Sequence, residues 1–455
     1  MNATMTPAAN PAVALEELAR WFERAPSSDA PWLAEMRRRA LAHFRDVGFP
    51  TTRQEEWRWT NVAPIAKTRF QSAAPADLVE PSRREIFHRM APYAPRSLGG
   101  YEIVFINGVH APELSTAAAP AIQITTLQDA MARHGAMVRA HLGREAPWEQ
   151  NGFAALNTAG FRDGAFIHVP DGVVVDKPVH LLFFNAAGRA PAPLLVQPRN
   201  LVLIGAGAHL VLACVYAGQD AAAALTNTVL EMVLGEAAQV ELVKLQCASD
   251  EAFHVAHEAV RLQAAANLLS LTLNLGGGLV RNNLSVRLDG PGAQATLHGL
   301  TLAAGRRHVD NHTLLDHACE NSTSHELYKY LLAQRAGGVF RGKILVRPGA
   351  QKTDARQTSK TILLSDEASM NSQPQLEIYA DDVKCTHGST TGPLDDEQIF
   401  YLRSRGIAAA PARALLTYAF AGDVLQRVRH APWRQYLETL VAGELQRLHI
   451  EKAST

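Results

Sequence analysis

The chain has 455 residues, of which 47% are hydrophobic, and its 44 basic side chains balance 44 acidic ones. This length predicts two or three domains with sizeable cores, and the zero formal charge gives no field that would attract nucleic acid or anionic lipid. No basic segment precedes an apolar stretch at the start, so no export signal is expected. The four cysteines lie far apart without a CxxC pair, which favours a reducing cytoplasm.

Residues 1–150 are predicted to form an N-terminal, mostly helical region. Between Ala14 and Asp46 apolar residues recur every three to four positions, which is the spacing of amphipathic helices. A mixed charged and aromatic segment, RQEEWRWT, follows at residues 53–60. Further short helices are expected at 82–90 and 126–142, on either side of an apolar strand at 102–106.

Residues 151–394 are predicted to form the core, a parallel β-helix. Short β-rich runs are broken by Gly, Asn and Asp, and a similar turn recurs at intervals of 30, 28 and 27 residues, marked by Ala208, Ala238, Ala266 and Ala293. A related turn returns at Ala350, 57 residues further on, which predicts two more coils. A repeat of this size without crossover helices is typical of a solenoid, whereas a sandwich has no reason to repeat a turn at this interval.

Residues 395–455 are predicted to form a C-terminal helical region, because helical spacing of apolar residues returns there. Asp395 and Asp396 suit the first turn of a helix, where the partial charge is positive. In the next helix Leu416, Tyr418 and Phe420 belong to a broad apolar stripe. The stripe indicates contact with a partner chain, and simple packing against the end of the solenoid explains it equally well.

Two glycine-rich segments resemble nucleotide-binding motifs, and each fails at one essential position. Residues 337–344 end in Ile344, where a phosphate-binding loop needs Ser or Thr to bind magnesium. Residues 205–207 are followed by Leu210 in place of the third glycine of a dinucleotide fingerprint, so they are expected to form a turn. The longest apolar run, 201–218, is assigned to buried strands rather than to a membrane span.

A histidine-rich stretch at 306–326 is the first candidate metal site. On a strand His308, Asp310 and His312 would share one face, while His317 and Cys319 would lie on the other, so these residues cannot all bind one ion. Polar ladders on the solenoid surface are the simpler interpretation. A self-contained metal-binding hydrolase that uses these histidines stays open as an alternative.

Cys385 and His387 are the second candidate site. Alternate positions of a strand share a face about 6.7 Å apart, so a thiolate and an imidazole can reach one ion from there. The sequence predicts that the face of Leu376 and Ile378 continues to this pair through a phase shift at 381–382. Two donors do not hold a metal, so the others would come from another strand or chain. A half-buried cysteine beside a hydrogen-bonded histidine is an equally good explanation.

A resemblance to a known family adds to these observations. Residues 325–407, which include VFRGKILVRPGAQKTDARQTSK and ADDVKCTHGSTTG, resemble the SufD family, a subunit of the Suf machinery that assembles iron–sulfur clusters. RQEEWRWT is similar to the T-R-x-E-x-W-x-Y-T segment near the start of these proteins, with Trp59 where tyrosine is common. The paralogous SufB has a sequence like E-H-E-A where this chain has Cys-Thr-His-Gly, which favours SufD.

The resemblance implies a right-handed parallel β-helix and a non-enzymatic subunit of a cytoplasmic SufB–SufC–SufD complex. That complex assembles iron–sulfur clusters and supports their transfer to apoproteins, with a further role for this subunit in iron entry. His387 matches a histidine at the SufB interface and Cys385 its neighbouring cysteine, so both are expected at a shared cluster or metal site. The isolated chain is expected to bind no cofactor tightly, while iron or a nascent cluster is held transiently in the complex.

The resemblance also implies where two partners bind. SufB is expected to cover the solenoid strands near 360–390, whose edges would otherwise stay unpaired, and a second copy of this chain would replace it when SufB is absent. The ATPase SufC is expected on the C-terminal helices, at Leu416, Tyr418 and Phe420. Neither nucleic acid nor a membrane is an expected partner.

A carbohydrate-active β-helix enzyme is the remaining alternative. Such enzymes usually work outside the cell, and no export signal is expected here. The sequence also lacks a compact aspartate cluster of the kind that binds calcium.

Overall fold

The computed structural model describes residues 16, 18–20, 22, 29–72, 83–93, 98–116, 119, 121–186, 193–219 and 224–453. Most of the first amphipathic helix predicted from the sequence lies outside these residues. We label the helices α1 (Pro31–Val47), α2 (Ala63–Ala66), α3 (Arg83–Met90), α4 (Leu127–Arg133), α5 (Gly135–His141), α6 (Gly152–Gly160), α7 (Asp396–Ser404), α8 (Ala409–Leu425) and α9 (Ala431–Ala453).

Local sequence signals explain where these helices begin and end. Helix α1 starts with Pro31, whose missing N–H is not needed in the first turn, and stops at Gly48, which has a φ of 65°. Helix α7 is capped by Asp395, whose carboxylate accepts a hydrogen bond from the backbone N–H of Glu397 at 2.8 Å. The first of the C-terminal helices therefore begins directly after this aspartate.

Strands account for more of the described residues than helices do. They are β1 (Gln71–Ser72), β2 (Tyr101–Ile106), β3 (Val109–His110), β4 (Gln123–Thr126), β5 (Ala165–Val169), β6 (Val179–Ala186), β7 (Leu194–Val196), β8 (Arg199–Ile204), β9 (His209–Gln219), β10 (Ala224–Leu234), β11 (Gln239–Cys247), β12 (Phe253–Leu262), β13 (Asn267–Asn274), β14 (Leu279–Leu288), β15 (Gln294–Ala303), β16 (His308–His317), β17 (Thr323–Leu332), β18 (Gly337–Val346), β19 (Asp354–Leu363), β20 (Ser369–Ile378) and β21 (Lys384–Gly392).

From β8 onward, successive strands alternate between two sheets. One has the order β20-β18-β16-β14-β12-β10-β8-β5-β4, and the other has the order β21-β19-β17-β15-β13-β11-β9-β6-β2-β3. From β5 and β6 onward the pairs between neighbouring coils are parallel. The chain is thus a parallel β-helix in which each coil contributes one strand to each sheet, flanked by helices at both ends, and the predicted fold class is confirmed. The strand predicted at 102–106 is β2, which pairs parallel with β6 in the second sheet.

The repeated turn of the sequence is the point where each coil turns into the second sheet. Ala208, Ala238, Ala266 and Ala293 are all fully buried, and the residue before each one has a positive φ of 55° to 72°. A small buried side chain after a left-handed residue therefore repeats once per coil. The two further coils are confirmed, but Gln294 pairs with Thr323 and Thr323 with Asp354. Thr353, three residues beyond the predicted Ala350, is consequently the equivalent of Ala293, because the intervening coils are longer.

Stacking of coils places like side chains above one another inside the solenoid. Phe105, Phe183 and Tyr216 occupy equivalent positions in consecutive coils, and their rings stack with centroids 5.1 Å and 5.0 Å apart. The same column then becomes polar, and Asn274 donates to Thr301 at 3.2 Å. This column is therefore aromatic in its first coils and polar in later ones.

The N-terminal region is fixed to the solenoid by a buried ion pair. Arg199 and Glu231 are both fully buried and form a charge-assisted contact. The Glu231 carboxylate also accepts hydrogen bonds from the backbone N–H groups of Gly143 at 2.9 Å and Glu145 at 3.1 Å. One internal carboxylate thereby joins the segment after α5 to strands β8 and β10.

The C-terminal helices pack on the outer face of the second sheet. Trp433, Leu437 and Val441 of α9 are fully buried in an apolar cluster that includes Val215 and Leu245 of the sheet. Among the described residues, no helix combines the length and the apolar character needed to cross a membrane.

Candidate functional site

The last coil of the solenoid has open edges. Strands β20 and β21 end their sheets, where β20 pairs with β18 and β21 with β19, and within the described residues neither has a second strand neighbour. Every residue of β20 is at least partly exposed, as is every residue of β21. A row of backbone N–H and C=O groups is thus available to another strand.

Cys385 and His387 point into the solenoid from this open coil. Their partners in β19 are Ala355 and Gln357, which are 0% and 1% exposed. The next coil that would cover them does not exist in the described chain, so His387 is exposed and Cys385 is half-buried against the core. Burial, followed by the charge of Asp354, raises the pKa of the Cys385 thiol, which keeps it protonated at neutral pH.

The predicted route from Leu376 to this pair is wrong in one respect. Leu376 and Ile378 belong to β20 in the first sheet, and the chain turns at 379–383 to begin β21 in the second. A phase shift within one strand is therefore replaced by a change of sheet. Both sets of side chains nevertheless face the same interior, because Ile344 and Val346, the partners of Leu376 and Ile378 in β18, are core residues.

A polar layer lies directly beneath the open coil. Gln357 donates from Nε2 to Glu326 Oε2 at 2.7 Å, and both side chains are buried. Burial raises the pKa of Glu326 to about 7. Sequence analysis missed both residues, although the alternation of Ala355, Gln357 and Ser359 with more exposed neighbours indicates that they share an inward face.

The histidine-rich stretch is a docking surface for the N-terminal segment. His308, Asp310 and His312 share one face of β16, as predicted, and Thr60 reaches this face by donating to Asp310 at 2.5 Å and contacting His308 Nε2 at 2.9 Å. Arg281, from the adjacent strand β14, contacts Asp310 at 2.5 Å and His312 Nδ1 at 2.8 Å. These side chains therefore contact one another, Thr60 and Arg281.

The segment RQEEWRWT supplies the other half of this contact. The Trp57 ring lies under the Arg281 guanidinium with 4.3 Å between the group and the ring centroid, and the carbonyl of Glu56 accepts from Arg281 at 2.9 Å. Although burial alone would raise it, Arg281, His312 and Thr60 lower the pKa of Asp310 well below its ordinary value. Asp310 is therefore an ionised carboxylate at neutral pH, held by Arg281 and Thr60.

The geometry does not assemble a metal site within the part of the chain that the structure describes. His317, on the opposite face as predicted, lies inside the solenoid between the hydroxyls of Ser322 at 2.7 Å and Ser324 at 2.9 Å. Within the described residues there is no group of three or more His, Cys, Asp or Glu side chains that could hold a metal ion. Cys385 and His387 offer two donor atoms, and two donors alone do not hold a metal ion.

The C-terminal stripe divides into two faces. Tyr418 is 44% exposed and Leu415 49% exposed, whereas Leu416 is half-buried. Phe420 packs against the outer apolar cluster, and Lys329 of β17 lies 4.4 Å from its ring centroid. The exposed face and the solenoid-facing side of α8 thus carry different residues of the stripe.

Exposed apolar surface concentrates near the end of the chain. Of the eight large hydrophobic side chains that are exposed among the described residues, six follow residue 377: Ile378, Tyr379, Phe400, Tyr401, Leu415 and Tyr418. A solenoid with one open end and an adjacent helical surface of exposed aromatic residues defines a class of protein that is built to assemble with other chains.

Comparison with known proteins places the chain within this class. Residues 184–420 match the family model described as SUF system FeS cluster assembly, SufBD core domain, and residues 23–181 match the SufBD protein N-terminal region. The chain belongs to the SufBD family of iron–sulfur cluster assembly proteins. The predicted resemblance to SufD is confirmed, and the family is a scaffold-type component of the Suf system.

Individual relatives support the same assignment over nearly full length. The chain is 32% identical over 406 residues to an iron–sulfur cluster assembly SufBD family protein of Synechocystis sp., covering 87% of each chain. It is 27% identical to the iron–sulfur cluster assembly protein SufD of Escherichia coli, covering 89% of this chain and 91% of the relative. It is 24% identical to SufB of Bacillus subtilis, covering 89% and 87%.

Proposed function

We propose that this chain is the non-ATPase, SufD-type subunit of a cytoplasmic SufB–SufC–SufD complex that assembles iron–sulfur clusters and supports their transfer to apoproteins. The observation that carries the proposal is the open last coil, in which an exposed imidazole and a half-buried thiol face an uncovered interior. In this proposal SufB covers the coil by pairing with the edges of β20 and β21, and a second copy of the chain takes its place when SufB is absent.

The cluster or its iron is cargo at this interface. His387 and Cys385 supply two donors, and the remaining ligands come from SufB, because iron–sulfur chemistry needs more donors than this coil offers. The isolated chain accordingly holds no cofactor tightly, and iron enters when both subunits are present. The chain contributes a surface and ligands, while ATP hydrolysis belongs to SufC.

His387→Ala tests the site. The variant should assemble with SufB and SufC as the unchanged chain does, because one exposed imidazole contributes little to a large interface, but cluster maturation should be lost. Cys385→Ser should have a milder effect. Thr386→Ala, an exposed residue between them on the outward face of β21, is the matched control and should mature clusters normally.

Two results contradict this assignment. Normal cluster maturation by His387→Ala would show that the imidazole is not a ligand. Failure of the same variant to assemble with SufB would show that His387 is an interface packing residue. Maturation is measured as iron and sulfide content of a reporter apoprotein, and assembly by co-purification and sizing.

The C-terminal helices are proposed to bind SufC through the exposed face of α8. Tyr418 lies on this face one turn from the exposed Leu415. The half-buried Leu416 lies one turn from Phe420, which supports the helix from beneath by packing on the solenoid. Tyr418→Asp should abolish co-purification of SufC, and strand circular dichroism should be unchanged. Val174→Asp places the same charge at a 65% exposed apolar residue of the solenoid and should retain SufC. Retained binding by Tyr418→Asp would exclude this face as the docking surface.

A further inference from the structure

One buried acceptor beneath the open coil lacks a donor. Gln357 is 1% exposed, and its Nε2 group is fixed by Glu326 Oε2 at 2.7 Å. Its Oε1 atom is buried and has no hydrogen-bond partner among the described residues. Leaving a buried amide carbonyl unpaired is costly, so a donor within reach is expected to bond to it.

The residue beside Gln357 in the register is His387. The two are aligned across β19 and β21 and point into the same interior, and neighbouring strands are about 4.8 Å apart. Since His387 is exposed, rotation of its side chain towards the carbonyl meets no covering element of the described chain. The other neighbour of Gln357 in the register is Glu326 of β17, whose Oε2 already accepts from Nε2.

We propose that Gln357 is a positioning residue for His387: its Oε1 accepts the N–H of the imidazole and directs the other ring nitrogen out of the open coil. Glu326 holds the amide in the required orientation. Because Nε2 of Gln357 donates to Glu326, Oε1 lies on the opposite side of the amide group. This role rests on the proposed function, in which the outward nitrogen binds iron or a nascent cluster.

The chemical consequence is the choice of tautomer. A neutral imidazole offers one N–H donor and one lone pair, and a metal-binding histidine usually donates its N–H to a carbonyl or carboxylate. Anchoring that N–H on Gln357 leaves the lone pair available at the interface. Without the anchor the exposed ring would exchange tautomers and rotamers as a free histidine does.

The test is nitrogen-15 NMR of the full-length chain labelled on histidine. The signals of His387 are identified by their loss in His387→Ala, and the exposed His325 serves as an internal reference for an unanchored ring. A hydrogen bond of ordinary strength should shift the tautomer ratio of His387 about tenfold relative to His325. Gln357→Met, similar in shape but without the carbonyl, should return the ratio to that of the reference.

Ser359→Ala is the matched control. Ser359 is the next inward residue of β19, it is 1% exposed, and its hydroxyl likewise has no hydrogen-bond partner within the described ranges. In the register it is aligned with Ser389 rather than with the histidine. This variant should leave the tautomer ratio unchanged and mature clusters normally. Gln357→Met should lower maturation about tenfold, as loss of an outer partner of a metal ligand typically does.

The unchanged chain alone can overturn the proposal. A tautomer ratio of His387 equal to that of His325 would show that no anchor exists, whether or not the Gln357→Met chain folds. An anchored ring together with normal maturation by His387→Ala would leave the positioning contact in place and reject the proposed function instead.

Discussion

Thr60→Val should weaken the attachment of the N-terminal segment to the solenoid. The substitution removes the hydroxyl that donates to the carboxylate of Asp310 at 2.5 Å and contacts His308 at 2.9 Å. Thr60 and Asp310 are each 1% exposed, so water cannot replace the lost donor. Asp310 keeps Arg281 as its partner, and the carboxylate therefore stays ionised but loses one of its bonds.

The size of the effect follows from the charge of the acceptor. A hydrogen bond to a buried charged group contributes roughly 1.5–3 kcal/mol, and valine fills nearly the same volume as threonine. We therefore expect the opening free energy of residues 55–66 to fall by about 2 kcal/mol. The rest of the solenoid should keep its stability, because its strands pair with one another and not with this segment.

Native-state hydrogen exchange measures this quantity directly. Amides of residues 55–66 should exchange about thirtyfold faster in the variant, since 1.4 kcal/mol corresponds to a factor of ten, while those of β12 and β14 should be unchanged. Thr68→Val is the control, because the Thr68 hydroxyl donates only to the carbonyl of Pro64 within the same turn. If the opening free energy falls by less than about 0.5 kcal/mol, Asp310 does not hold this segment in place. The interpretation would also be refuted if the purified chain contained one zinc ion that is lost when His308 is substituted.

Lys329→Met should loosen α8 without unfolding the solenoid, because Nζ donates to the carbonyl of Phe420 at 3.0 Å; faster exchange confined to α8 would be the signature, and unchanged exchange there would contradict it. His317→Leu should make the stability of the chain less sensitive to acid. Burial lowers the pKa of His317 from 6.5 to about 4, so its stabilising effect is complete above pH 6.5 and is lost as the pH falls to 4. The loss corresponds to about 3 kcal/mol in the free energy of unfolding, measured by urea titration at each pH. His325→Leu, at an exposed residue, should leave that pH dependence unchanged, and equal curves for both variants would reject the assignment. Arg199→Met should cost about 3–5 kcal/mol by leaving the buried carboxylate of Glu231 without its counter-ion, and a urea midpoint close to that of the unchanged chain would contradict this.

The solenoid was predictable because each coil repeats the same local event. A left-handed residue followed by a small buried one is a short-range feature, so Ala208, Ala238 and Ala266 mark it in the sequence without knowledge of the pairing. The same logic misplaced the last equivalent by three residues, because coil length varies and only the register identifies Thr353. The sequence analysis also treated β20 and β21 as one strand, although the chain changes sheet at 379–383. Inward and outward side chains alternate in the same way before and after such a turn, so the sequence pattern does not reveal it.

The histidine-rich stretch shows what a sequence pattern leaves undetermined. The common face of His308, Asp310 and His312 was correctly predicted, but its partner Thr60 is about 250 residues away in the chain. Periodicity gives the direction of a side chain and says nothing about the segment that covers it. The resemblance of RQEEWRWT and of the solenoid to one family was visible, whereas the contact between them required the structure.

The composition of the open coil gives a physical reason for a partner at this end. The inward side chains of β21 are Cys385, His387, Ser389 and Thr391, as follows from their alignment with buried residues of β19. Such side chains gain little by burial against each other, whereas Met370 and Leu376 on the facing strand pack on the core and stay only partly covered. A further coil of ordinary apolar character would leave the histidine and the hydroxyls unsatisfied. The surface that completes this end must therefore offer backbone groups to two strand edges, apolar side chains opposite β20 and polar donors or acceptors opposite β21. A related solenoid with its own open coil would meet the first of these requirements, because its two sheets would end side by side in the same way.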